Sequence, residues 1–426
     1  MRIERVDMAD GDLVRACHAV HVAAQEADDP QQEPPFSLQL FTALLTHGWG
    51  YDPAEAWYVP AGSTAAAGPS GVAAWCRVVL PDLENRDRAF IEPVVHPAFR
   101  RRGIGRGLLA HGWRRAAAGG RRFLDGNAIQ GSAGEAFARS LGAEPGIVDA
   151  RRILDLRKVP AGRFADLQAQ AVPHAAGYSM LRWTGATPEA ALGGVAGVLN
   201  AMNDAPREEG WFEDDIWDAD RVRARGDMSV RLGGQLGYSV AAVHEETGEM
   251  AAMTQVFVDP GEPAWGRQGL TGVTRPHRGH RLGLLTKAAM LDWLATAEPG
   301  IERIETNNAE ANSYMIAVNE TLGYELAEPG AQFFALPVRG LLAGGETVQP
   351  FAQQRLLRAA ECRLVWQDGA QCPGSAARPR VPDSGLLAGD GGDRGLPENA
   401  QQGRVTLERA AFPRPRAGGR QRGASR

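Results

Sequence analysis

The residues best suited to chemistry fall in one run, Val94-Val-His-Pro-Ala-Phe-Arg-Arg-Arg-Gly-Ile-Gly-Arg-Gly-Leu-Leu109. An extended segment closes at Val94 and Val95, a turn carries Arg100-x-x-Gly103-x-Gly105, and helical spacing follows. Backbone N–H groups at such a helix start face outward, and the helix dipole favours an anion there. Gly103 and Gly105, on either side of Ile104, let a diphosphate approach the backbone closely. Arg100, Arg101, Arg102 and Arg106 add positive charge for further phosphates. The run has neither the GxGxxG of a dinucleotide-binding loop nor the GxxxxGK[ST] of a P-loop.

The same chemistry returns further along. Gly272-Val-Thr-Arg-Pro-His-Arg-Gly-His-Arg-Leu-Gly-Leu-Leu285 lies over the first run at an offset of 178. Val273 meets Val95, Arg278 meets Arg100 and Gly283 meets Gly105, with Gly279, His280 and Leu282 completing the turn. Arg281 stands where the first run has Gly103, and a guanidinium there can reinforce anion capture. His277 and His280 read as turn residues rather than metal ligands, because no third ligand accompanies them.

Each turn needs a strand before it and a helix after it, and the flanking pattern supplies both. In the first copy 11–24 and 37–47 read as helices, Gly71 to Leu80 and Ala89 to Val95 as strands, and Arg102 to Ala118 as the helix after the turn. Phe123 to Asp125 is a short strand, and Gly134 to Ser140 a helix closed by Gly142. In the second, Gly269 to Val273, Leu282 to Thr296, Ile301 to Thr306 and Ala311 to Thr321 repeat that order. Upstream, Ala24 to Pro30 (AQEADDP) resembles Ala201 to Pro206 (AMNDAP). Two copies of one domain follow from this self-similarity.

The RxxGxG turn after a V-x-P strand end resembles that of the GNAT acetyltransferases, where it binds the diphosphate of coenzyme A. The resemblance covers roughly residues 1–338 and implies an α/β architecture of two tandem GNAT folds, each a mixed central sheet flanked by helices. It implies acetyl-CoA as co-substrate, no metal, and contacts from Val94, Val95, the two turns and Asn312. Family members commonly read N-x-x-A-x-x-x-Y-x-x-x-G-F, with the tyrosine protonating the departing thiolate. Here Asn312, Gly323 and Tyr324 match, but Asn319 holds the tyrosine position; in the first copy Gly131 and Ala138 replace the asparagine and the tyrosine. Tyr314 or Tyr324 is then the substitute acid, against a packing role for either. An amine nucleophile must lose a proton, and Glu92 and Glu305, each on a strand beside its cleft, are the candidate bases.

In GNAT folds the segment between the first helices shapes the acceptor pocket. Asn203 to Asp220 gathers Glu208, Glu209, Glu213, Asp214, Asp215, Asp218 and Asp220 around Trp211, Phe212 and Trp217. That mixture suits a cationic amine, and equally an acidic helix start. The reading is therefore acetyl transfer to a small-molecule amine, with the second copy favoused as catalytic and the first as a holder of acetyl-CoA. Its rivals are a CoA-binding sensor or scaffold without turnover, and acetylation of a protein N-terminus or lysine.

The expected organisation is a first GNAT domain over 1–158, a linker over 159–175, a second domain over 176–338 and a disordered tail over 339–426, with one short helix from Leu356 to Trp366. Composition agrees. The tail is rich in Gly, Pro, Ala and Arg, with too little apolar surface to offset its ordering entropy. A net charge of -5 argues against nucleic acid as partner. The four scattered cysteines argue against a disulfide framework or structural zinc. The charged start and the lack of an apolar run of about 20 residues point to a cytoplasmic protein with no membrane partner.

Overall fold

The computed structural model describes residues 1–338 apart from 29–32, 49–51, 63–70, 205–211, 227 and 328–329, together with the backbone of 408–410. The first half runs β1 (Glu4–Arg5), α1 (Gly11–Asp28), α2 (Leu38–His47), β2 (Ala54–Pro60), β3 (Val72–Val79), β4 (Arg88–Val95), α3 (Ile104–Ala118), β5 (Phe123–Ile129), α4 (Ala133–Ser140) and β6 (Glu144–Asp155). The stretch expected to link the halves carries α5 (Arg163–Ala171), which buries Phe164, Leu167 and Ala171 in the core of the second half. Then follow β7 (Tyr178–Thr184), α6 (Leu192–Ala201), the short turns α7 (Ala219–Arg221) and α8 (Met228–Arg231), β8 (Leu236–His244), β9 (Met250–Val258) and β10 (Trp265–Val273). The second half closes with α9 (Leu282–Ala297), β11 (Arg303–Ala309), α10 (Ser313–Leu322), β12 (Glu325–Leu326) and β13 (Ala331–Pro337).

The elements expected from periodicity are present, most within two or three residues of their anticipated ends. The longer misses are α1 and β5, which run on past their expected ends, and β10, which begins before its expected start. β3 is buried along its whole length, as a central strand covered on both faces must be, and its counterpart β9 is nearly so. Helices α1 and α2 cover one face of the first half around Val20, Phe41 and Trp75, while α3 covers the other around Leu108 and Trp113. In the second half α6 takes the first role and α5 with α9 the second.

All described strands join one sheet, in the order β1-β2-β3-β4-β5-β13-β6-β11-β10-β9-β8-β7-β14, where β14 is Glu408–Ala410 and β12 pairs with β6. Here the halves interlock. β13, the last strand of the second half, lies between β5 and β6 of the first, pairing Ala331–Pro337 with Ile129–Phe123. β6 in turn reaches into the second half and pairs along the whole of β11, from Asp155 with Arg303 to Asp149 with Ala309. Of the tail expected to lack structure, only β14 (Glu408–Ala410) is described, as an edge strand antiparallel to β7; the Leu356 to Trp366 helix lies outside the described residues. Among the described residues no helix is long and apolar enough to cross a membrane.

Candidate active site

Both turns have the same backbone shape, built from exchanged residues. In the first, Arg101 (φ 62°) and Gly103 (φ 82°) are left-handed; in the second, Gly279 (φ 87°) and Arg281 (φ 53°) are. Arg281 therefore keeps the conformation that the missing glycine would have taken. Neither Gly103 nor Arg281 gives the following helix a side-chain cap, so the first amides of α3 and α9 stay available to an anion. A Cβ at Gly103 or Gly279 would meet nothing within 4 Å, which leaves open space where phosphates fit.

The leading arginines do something other than expected. Arg100 donates from Nε to the Val95 carbonyl (3.1 Å) and from both terminal nitrogens to Asp28 (2.7 Å each). Arg278 repeats this with the Val273 carbonyl (3.2 Å) and Asp204 (3.0 Å), where Arg275 joins it (2.7 Å). Each thus braces the strand end against the end of the first helix of its half. Arg102 donates to the Ala98 carbonyl (3.0 Å) and His280 to that of His174 (3.1 Å). His277, buried, shares hydrogen bonds with Tyr178 (2.9 Å) and Glu249 (3.3 Å).

Strands splay beside each turn. β4 pairs with β5 only over Arg88–Phe90, and β10 with β11 only over Trp265–Arg267; beyond, each pair opens into a wedge. The N–H groups of His96 and Thr274 bond back to β3 and β9 (3.1 and 2.9 Å), so by strand alternation those of Val95 and Val273 point into the wedges. Two residues earlier the halves part. Thr271 presents a second N–H to its wedge, whereas Pro93 has none to give. β10 also carries a register shift between Gln268 and Thr271, while β4 pairs with β3 without one.

One cavity of about 1650 Å³ connects these features. It extends from the first turn (Arg100, Arg101, Gly103 to Arg106) past Val94, Val95 and Asn127 to the face where the halves meet. There it is lined by Phe212, Glu213, Asp215 and Trp217, and by Arg267, Gln268, Gly269, Glu305 and Asn307 at the mouth of the second wedge. The acidic segment expected to serve the second half thus crosses to the first. Asn85 and Glu213 exchange hydrogen bonds (2.7 and 2.8 Å), Glu84 accepts from Ile216 (3.1 Å) and Arg221 (2.8 Å), and Phe212 stacks on Phe90. Glu208, Glu209 and Trp211 lie outside the described residues.

Of the candidate bases, Glu92 is held in an ion pair by Arg77, which also donates to the Leu44 carbonyl (2.7 Å). Glu305 is only 6% exposed; Asn307 donates to one of its oxygens (2.9 Å), and the other has no partner among the described residues. Burial, and then the negative charge of Glu33, push its carboxyl up to about 7 against the pull of Asn307, Arg151 and Arg267. The substitute acids fare differently. Tyr324 is 3% exposed in the core, its hydroxyl without a partner among the described residues and its ring under the Nζ of buried Lys287 (5.0 Å). Burial raises its hydroxyl far above the ordinary range. Tyr314 is 62% exposed. Asn319 is fully buried and donates to Asn308 (2.7 Å); Asn312 caps α10, its oxygen accepting from the Met315 N–H (3.2 Å). Sequence reasoning missed Glu33, Arg151 and Arg267 at the cavity wall. Glu33 and Arg267 are lone charges and Arg151 is half of an arginine pair on β6, so no local signal marks any of them.

No family model matches the chain. Among curated proteins, mycothiol acetyltransferase of Mycolicibacterium smegmatis is 27% identical over 271 residues, 60% of this chain and 78% of that protein. Among solved structures, a tandem GNAT protein from the clavulanic acid biosynthesis pathway superposes with a TM-score of 0.65 at 28% identity, covering 82% of this chain and 99% of that one. A GCN5-related N-acetyltransferase from Sphaerobacter thermophilus shares the fold, with a TM-score of 0.52 at 16% identity over 79% of this chain and 96% of that one.

Proposed function

We propose, from the premise that the chain is a tandem GNAT-type acyltransferase, that it moves an acetyl group from acetyl-CoA to a cationic small-molecule amine. The second half is the seat of transfer, and the first holds acetyl-CoA without turning it over. The mycothiol acetyltransferase relative supports only the class, and the residues of this chain carry the rest. The observation on which the reading stands is Glu305: a buried carboxyl near pKa 7, with one free oxygen, at the mouth of the second wedge.

Acetyl-CoA supplies the activated thioester. The amides of the turn after Val273, from Gly279 to Gly283, would hold the diphosphate, and those of Thr271 and Val273 face the wedge, where they would polarise a carbonyl. Glu305 accepts the proton that the attacking amine must lose, the carbonyl–sulfur bond breaks, and coenzyme A leaves as the thiolate, which takes its proton from water. In the first wedge Pro93 withholds one of the two donors, and Glu92 is neutralised by Arg77, so binding there has no matching machinery.

Glu305→Gln should lower turnover by roughly 10²- to 10⁴-fold while leaving acetyl-CoA affinity unchanged. For the wild type, kcat/KM should climb with pH through about 7, because the base acts only when ionised. Stability should run the other way. The folded pKa lies above the ordinary 4.5 of a glutamate, so ionising Glu305 costs stability, and the wild type loses ground to the glutamine variant as pH rises from about 4.5 through 7. A thiol-release screen across amines that stays silent while CoA binds would instead leave the scaffold reading, which the missing tyrosines at Ala138 and Asn319 favour.

A further inference from the structure

We propose that Glu33 of the first half completes the acceptor site of the second, so that an ammonium group of the substrate sits between Glu33 and Glu305. This rests on the second half being the seat of transfer. The segment after α1 crosses to β10: Arg267 donates to Glu33 (3.0 Å) and to the Pro34 carbonyl (2.7 Å), and its guanidinium lies over the Phe36 ring (5.1 Å). Arg267 is the register partner of Glu305 on β11, so one arginine fixes both segments at the mouth of the second wedge. Arg151 of β6 stands 3.7 Å from the other oxygen of Glu33.

Two carboxylates from different halves therefore face one cavity, close enough that Glu33 disfavours ionisation of Glu305. The second oxygen of Glu305 is buried without a donor among the described residues, and an anionic acceptor left so costs free energy that a donor brought by a ligand recovers. A primary ammonium has three donors and the charge to favour ionisation of Glu305. The crossing is reciprocal, since Phe212 to Trp217 of the second half closes the first half's end of the same cavity through Asn85 and Glu84. Glu33 thus selects the acceptor, and a half that does no chemistry still decides what the other half acetylates.

The test follows Glu305 directly, by carbon-13 detection of its side-chain carboxyl in the full chain, with 1,4-diaminobutane as probe and 1,4-butanediol as its uncharged match. The diamine should lower the titration midpoint of Glu305 and the diol should leave it in place. Glu33→Gln should lower the midpoint by itself and weaken the diamine effect roughly tenfold or more; Glu33→Asp should restore part of both. In turnover, Glu33→Gln should raise the amine KM with acetyl-CoA KM unchanged. A Glu305 that ignores the diamine, or responds to it equally in Glu33→Gln, overturns the proposal. Loss of the wider reading looks different: no thiol release from any amine, while the diamine still moves Glu305.

Discussion

The two halves share a backbone and divide its working parts. The first has the glycine-bearing turn that sequence patterns favour, an open path from turn to cavity, and a strand that lacks a donor at Pro93. The second has an arginine where the glycine should be, yet keeps the Thr271 and Val273 amides, the register shift in β10 and a carboxyl near neutrality in Glu305. Resemblance to a motif and fitness for chemistry have separated. A turn that binds a diphosphate needs only its left-handed backbone positions, and either residue order provides them. Chemistry needs donors and a base at set places, and one proline is enough to remove a donor.

The largest test of that division is to cut the halves apart. Residues 1–158 lack β13 and leave a gap between β5 and β6, while residues 176–338 lack β6 beside β11. Neither piece should show a cooperative thermal transition by circular dichroism, and a soluble half that binds acetyl-CoA would break the interlock. Next are Gly105→Asp and Gly283→Asp. A Cβ at either stays 3.6 Å from its nearest neighbour, so both variants should fold while placing a carboxylate against the anion site. Calorimetry should lose one equivalent of CoA in each, and turnover should vanish only with Gly283→Asp; the reverse would move the chemistry to the first half. The smallest effect concerns the exchanged residues. Arg101→Gly and Arg281→Gly should each relieve about 1 kcal/mol of left-handed strain, read as a higher denaturation midpoint.

Much of this was legible locally. The repeat, the turns and their flanking elements follow from spacing. The likeness of AQEADDP to AMNDAP even marked Asp28 and Asp204, the matching partners of Arg100 and Arg278. Tyr324 was legible too, since it follows Gly323, the left-handed residue (φ 99°) ending α10, where the next side chain folds back onto the core. The partner of a strand is not. Nothing within Ala331–Pro337 says that it pairs with Phe123–Ile129 rather than with its own half, because pairing depends on which edges are vacant in three dimensions. The crossing of Phe212 to Trp217 and of Glu33 to Phe36 stayed hidden for the same reason.

The inserted strand also sets a timetable for synthesis. β6 leaves the ribosome 176 residues before β13 begins, which at bacterial or eukaryotic elongation speeds of about 5–20 residues per second is a delay of roughly 10–35 s. Throughout it the amino-terminal half has every strand but the one that joins β5 to β6. Its sheet closes only once β13 has emerged, and the nascent chain must spend that interval with two adhesive edges held apart.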